Sequence, residues 1–260
     1  MMIRGTKEWA VAEINCSIGC PHDCRYCYAR VAALDRGAIQ SVGEWSRSRI
    51  IDGEIDRQRP RYPGRVMFPT AHDIVEENLN EALEVISRLL EADNQVLIVS
   101  KPSLSCIEQI CDRLSRRRNQ ILFRFTITAR DGDILRFWEP GAPAYPERLD
   151  SLRLAYEKGF ATSVSIEPIL DLEDLVDLIG EIEPLVTDSI WVGKMNRIEE
   201  RVRIESSEAA AEVERIRSEQ HDQKILDLYD SLKDKPLIRW KESIKLVVGL
   251  PLATESGLDI

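Results

Sequence analysis

Between residues 9 and 192 the sequence alternates six times between short, β-rich apolar runs and segments of helical periodicity. The runs are residues 9–14, 65–69, 95–100, 121–128, 161–166 and 188–192. The run at 95–100 is apolar through its centre, as in a strand buried on both faces. Helical spacing is clear in 77–91, where Leu79, Leu83, Ile86 and Leu90 form one stripe. Further helices are predicted from Ser103, which can cap one running to about Arg118, over 145–158 with Gly159 as its stop, and over 172–182. Neighbouring parallel strands need a crossover, usually a helix, so this rhythm predicts a parallel sheet covered by helices. Six rounds fall short of a complete eight-fold barrel. A partial barrel and a doubly wound sheet both fit the pattern. In either, functional residues gather where strands end and loops begin.

Beyond the sixth strand the texture changes. Residues 199–233 are highly charged, with Ile225, Leu228, Tyr229 and Leu232 as one apolar stripe, and 236–260 reads as a tail. The chain therefore divides into an α/β domain over 1–195 and a helical extension with a tail over 196–260, packed on the first. The 43% hydrophobic and 31% charged content exclude disorder, collagen and coiled coil. No apolar run approaches the ~18–20 residues that span a bilayer, and the N-terminus lacks the apolar core of a signal peptide, so a cytoplasmic location is expected. A net charge of −10 gives no overall attraction to nucleic acid. The basic cluster of Arg113 and Arg116 to Arg118 reads as a solvated helix end.

A chain of 260 residues can bury a full core without covalent staples, so its six cysteines need another explanation. Four fall in one loop after the first strand: Cys16, Cys20, Cys24 and Cys27. The last three form C-x3-C-x2-C, a spacing that lets one loop wrap a compact cluster, each thiolate on a different iron. Structural zinc on all four thiols is the competing assignment, but zinc sites usually draw on two separated pairs. Cys16 reads as a buried strand-end thiol. As a fourth ligand it would instead make the protein a non-catalytic iron–sulfur or zinc module for electron transfer or binding. Cys106 and Cys111, five apart on a predicted helix, do not share a face and read as core. His72 is either a proton relay or a polar loop residue, and His22 reads as loop. Glu167 either lines a pocket or pairs with a cation. Arg130 and Arg136 read as exposed, Trp191 and Trp240 as core, and Glu139 with Arg148 as a tie between loop and helix.

The C-x3-C-x2-C loop, with Tyr26 just before its last cysteine, resembles the signature of radical S-adenosylmethionine (SAM) enzymes over most of residues 9–195. The segments at 68–75, 97–101 and 139–149 are similar to the branch containing spore photoproduct lyase. The resemblance implies a partial (βα)6 TIM-type barrel. It implies a [4Fe–4S] cluster on Cys20, Cys24 and Cys27 whose fourth iron binds SAM. An electron from a donor such as flavodoxin or ferredoxin would cleave SAM to a 5′-deoxyadenosyl radical that abstracts hydrogen from a substrate. By the same resemblance Thr70 and Asp73 face the methionine amino group, Lys101 its carboxylate and Thr128 the ribose, with Tyr26 beside the cofactor. One departure is plain. Photoproduct lyases carry a hydrogen-donor cysteine on the loop after strand two, and this loop has none.

Overall fold

A computed structural model describes residues 3–258. A 3₁₀ turn, Gly5–Glu8, leads into β1 (Ala12–Glu13) and the cysteine loop. Within that loop β2 (Ser17–Ile18) pairs antiparallel with β3 (Arg49–Ile50), on either side of α1 (Tyr28–Asp35). The alternation then runs β4 (Val66–Phe68), α2 (Leu79–Glu91), β5 (Val96–Ser100), α3 (Leu104–Leu114), β6 (Ile121–Thr126), α4 (Gly132–Trp138), α5 (Tyr145–Glu157), β7 (Ala161–Ile166), α6 (Leu175–Ile182) and β8 (Ile190–Val192). It continues through α7 (Ile198–Arg201), α8 (Ser207–Glu219), α9 (Asp222–Leu232), β9 (Ile238–Trp240) and α10 (Glu242–Val248).

The main sheet is parallel throughout, in the order β1-β4-β5-β6-β7-β8-β9. Strand order follows chain order, each step a helical crossover, which is barrel winding rather than a doubly wound sheet with a reversal. The fold is a partial TIM-type barrel with a helical C-terminal region. Its seventh strand, β9, comes from the segment read as a tail. At three residues with one charge, Arg239, it gives too short an apolar run to be read as a strand. Its register on β8, Ile190 to Ile238 and Val192 to Trp240, carries the sheet past residue 195.

Alternation along the strands sorts side chains to two faces. Val66, Phe68, Ile98, Phe123, Phe125, Val164 and Ile190 pack outward with the helices in the main core. Met67, Leu97, Leu122 and Trp191 face the other way and form a small inner core with Trp9. Arg124, also fully buried, lies 4.7 Å from the Trp9 ring and donates to Ser163 Oγ at 2.9 Å. Cys106 and Cys111 are buried in the main core, as expected. Ser103 stands at the α3 N-cap, but its hydroxyl meets Ser105, and Glu147 Oε1 accepts from the first helical N–H, Leu104, at 3.0 Å. Among the described residues no helix is long and apolar enough to cross a membrane.

Candidate active site

The C-terminal ends of the strands open on a cavity of about 410 Å³ lined by Cys20, Cys24 and Cys27. Two glycines set the path of the loop that carries them. Gly19 has φ +93°, and a Cβ there would sit 2.7 Å from the carbonyl oxygens of Trp45 and Arg47. That close approach lets Cys20 N–H donate to Trp45 O at 2.8 Å. On the other side Gly141 lies against Pro21, where a Cβ would meet the Pro21 carbonyl oxygen at 2.2 Å. Gly141 N–H donates to His22 O at 3.0 Å and Arg25 N–H to Trp138 O at 2.9 Å. The loop is thus clamped between the chain at 45–47 and the chain at 138–141.

Cys16 stands apart from the other three. It is fully buried, does not line the cavity, and its Sγ lies 3.7 Å from both Ser17 Oγ and His72 Nε2. Burial pushes its thiol up to about 11. Burial also raises Cys20, Cys27 and Cys24, the last to about 12, so without a metal all are neutral thiols at pH 7. All four are free cysteines.

His72 is a fixed ring on the cavity lining. Its Nε2 accepts backbone N–H groups, and its Nδ1 lies 3.0 Å from Asp73 O, which can only accept. Both ring nitrogens are committed, with the proton on Nδ1. Burial holds its pKa below the ordinary value. His22 proves to be more than loop. It is buried, and its Nδ1 lies 2.8 Å from Asp73 Oδ2.

Asp73 organises the wall. Its Oδ1 accepts from Ser100 Oγ at 3.0 Å and Lys101 N–H at 2.7 Å, and its Oδ2 faces His22 and the Cys20 thiol, the latter at 3.7 Å. Burial opposes its charge, yet the Lys101 ammonium and His22 hold it well below the usual carboxylate range. Cys20, His22 and Asp73 also place donor atoms within 4.8 Å of one another, the geometry of a single-ion site. With four groups already on the carboxylate, that trio reads as a clamp. The three cavity-lining thiols, a soft all-sulfur set on one loop, are the donors that fit an iron–sulfur cluster.

The remaining residues named from the sequence divide. Thr70 and Lys101 line the cavity. Thr70 is held by Asn15, whose Nδ2 donates to Thr70 Oγ1 at 2.7 Å and whose Oδ1 accepts from Thr70 N–H at 2.8 Å. Lys101 Nζ has no hydrogen-bond acceptor among the described residues and lies 5.6 Å from the Tyr26 ring centroid. Burial opposes its charge, but Cys24, Tyr26, Asp73 and Glu139 raise its pKa well above the ordinary value. Tyr26 lines the cavity with its ring and gives its hydroxyl to Glu139. Thr128 is fully buried and lies outside the lining, because its hydroxyl donates to Glu139 Oε1 at 2.9 Å. The hydroxyls that line the cavity there are Thr126 and Ser165, on the inner faces of β6 and β7.

Glu139 pairs with Arg148 at 2.5 Å, both side chains fully buried, so the loop-to-helix tie holds. Burial opposes the Glu139 charge, and Arg148, Lys101 and Tyr26 lower its pKa nonetheless. Arg130 is half-buried and paired, its Nε donating to Asp174 Oδ2 at 2.6 Å, and Arg136 pairs with Asp133 on the surface. Trp191 and Trp240 are core. Glu167 does both things considered for it: it lines the cavity and lies 3.7 Å from Lys241. Asn15, Lys241 and Glu242 were not legible as site residues, since only the fold brings them to the wall.

No family model matches the chain. An uncharacterised protein of Methanocaldococcus jannaschii is 24% identical over 177 residues, covering 66% of this chain and 65% of that protein. An uncharacterised protein of Acidianus two-tailed virus is 26% identical over 203 residues, covering 70% of this chain and 65% of that one. The chain thus spans just under two thirds of each relative's length. Among solved structures, a spore photoproduct lyase variant with dinucleoside spore photoproduct superposes with TM-score 0.58 at 15% identity, covering 92% of this chain and 78% of the lyase. A lyase variant with bound AdoMet and the same lesion gives 0.56 at 15% identity, covering 88% and 75%. Streptococcus suis SuiB bound to S-adenosylmethionine gives 0.55 at 9% identity, covering 92% of this chain and 52% of SuiB. The chain shares the fold of spore photoproduct lyase and SuiB.

Proposed function

We propose that this protein is a radical SAM enzyme acting on a substrate held in the same cavity. The observation that carries the reading is that Cys20, Cys24 and Cys27 line one cavity at the strand ends while the Cys16 thiol is turned away toward Ser17 and His72. Three thiolates would hold a [4Fe–4S] cluster and leave one iron for SAM. Bound there, cluster and SAM would supply the radical chemistry that abstracts hydrogen from a substrate. Lys101, which lines the cavity with no acceptor among the described residues, would take the methionine carboxylate. Thr70 would meet the amino group, and Thr126 and Ser165, which line the cavity, would take the ribose role in place of Thr128. Asp73 acts through others: it fixes His22 and Lys101 rather than meeting the ligand alone. A low-potential donor such as flavodoxin or ferredoxin supplies the electron. The cofactor residues lie before the division near residue 195, and Asn196, Arg201 and Glu242 bring the C-terminal part into the same cavity.

A non-catalytic module would need Cys16 as a fourth ligand, and its thiol faces away. The test is anaerobic reconstitution with iron and sulfide, then reduction with SAM present. Release of 5′-deoxyadenosine and methionine supports the reading, and an intact cluster that releases neither defeats it. In the same assay Lys101→Met should keep the iron and raise the SAM concentration needed for half-maximal cleavage.

A further inference from the structure

The cavity has a second end, remote from the cysteine loop in sequence and built by the last three strands of the sheet. Glu167 follows β7, Gly193 and Lys194 follow β8, and Lys241 and Glu242 follow β9. Lys241 is fully buried at their centre. Its Nζ donates to Gly5 O at 2.8 Å, pairs with Glu8, and lies 3.7 Å from Glu167 and 3.8 Å from Glu242. The Trp9 ring lies 4.3 Å from the same ammonium. Gly193 permits this crowding, because a Cβ there would sit 2.8 Å from Lys241 Cγ and 3.0 Å from Glu167 Cγ.

Three carboxylates thus share one lysine. Lys241 donates its hydrogen bond to Gly5 O and makes its closest ion pair with Glu8, leaving Glu167 and Glu242 beyond hydrogen-bond distance. Both line the cavity. Glu242 is only 8% exposed, and its Oε2 is buried without a hydrogen-bond partner. Lys194 and Arg201, two cations that line the cavity, do not supply one among the described residues. Lys194 is paired with Asp222 at 3.4 Å, and the Arg201 guanidinium lies against the Tyr28 ring, 5.9 Å from its centroid. A buried carboxylate oxygen with no donor is costly, and such a cost is tolerated where a ligand supplies the missing partner.

We propose that Glu167 and Glu242 form a subsite for a cationic nitrogen, an alkylammonium or guanidinium group of the substrate. This deepens the radical SAM reading by naming a substrate class for the same cavity, and as a substrate claim it rests on that reading. The subsite itself depends only on the folded wall. Lys241 lies within 4 Å of both carboxylates, and the incoming cation donates to their free oxygens.

The test uses the full chain with no cluster and no SAM, so a failure of radical chemistry leaves its result standing. Butylammonium and butylguanidinium are titrated by calorimetry or ligand-observed NMR, with butanol and pentanoate as neutral and anionic counterparts. Both cations should bind and their counterparts should not. Glu167→Gln and Glu242→Gln should each weaken cation binding about tenfold, the effect of one charged hydrogen bond. Each variant should melt at or above the parent temperature, since it removes an undersatisfied charge. Absence of cation binding, preference for pentanoate through Arg201, binding indifferent to both substitutions, or lowered melting of both variants would each overturn the subsite. If cations fail to bind while SAM cleavage persists, the subsite alone falls. If they bind and cleavage is absent, the radical SAM reading falls.

Discussion

His72 Nε2 accepts the backbone N–H of Cys16 at 3.1 Å, and the N–H of Ser17 lies 3.3 Å from the same nitrogen. One neutral ring thereby pins the entry to the cysteine loop onto the chain that follows β4. His72→Ala orphans two buried donors, each worth about 1–3 kcal/mol. The variant should melt well below the parent and load less iron per chain, as read by calorimetry and iron analysis.

The same ring makes stability depend on pH. Burial depresses the His72 pKa from its ordinary 6.5, so the folded state takes up its proton later than the unfolded state as pH falls. The contribution is therefore complete above pH 6.5 and shrinks as pH drops toward the lowered folded value. Denaturant midpoints taken below pH 6.5 should show this loss, and His72→Gln should remove that part of the slope.

The cysteines should separate cleanly. Cys20→Ala, Cys24→Ala and Cys27→Ala should each lose the cluster, seen as loss of visible absorption after reconstitution. Cys16→Ala should keep it and cost roughly 1 kcal/mol of stability for the emptied volume. Loss of the cluster in Cys16→Ala would return the four-thiolate module to favour.

Gly141→Ala tests the clamp. A Cβ 2.2 Å from the Pro21 carbonyl oxygen has no room, so the cluster loop or the loop after α4 must move. The expected cost is at least the ~1–3 kcal/mol of overpacking, with reduced iron loading although no thiol is touched. Unchanged melting and loading would show the contact to be soft.

The Glu139 network should respond unequally to its parts. Glu139→Gln leaves the Arg148 guanidinium buried without its counter-charge, costing about 3–5 kcal/mol. Tyr26→Phe removes one hydroxyl from the same carboxylate and should cost about 1 kcal/mol. Thermal unfolding of the two variants side by side measures the difference.

Much of this was legible in the sequence because period and spacing are local signals. The apolar runs at 95–100 and 161–166 are strands, and three of the four thiols of one loop do meet at one cavity. What escaped depends on residues far apart in the chain. The β9 strand is too short to read alone and exists because Ile238 and Trp240 align with β8. Asn15 looked like any loop asparagine until the fold set it against Thr70, 55 positions away. His22 gained its role from Asp73 across the cavity rim. Thr128 stands outside the lining, bonded to Glu139, and no local pattern encodes that bond.

The bond from Lys241 to Gly5 joins positions 236 apart. A closure of that span cannot form during synthesis until nearly all of these residues have left the ribosome, whereas the thiol loop meets its β4–β5 partners much earlier. The β9 side of the cavity can therefore be completed only after the thiol loop and its β4–β5 partners have emerged.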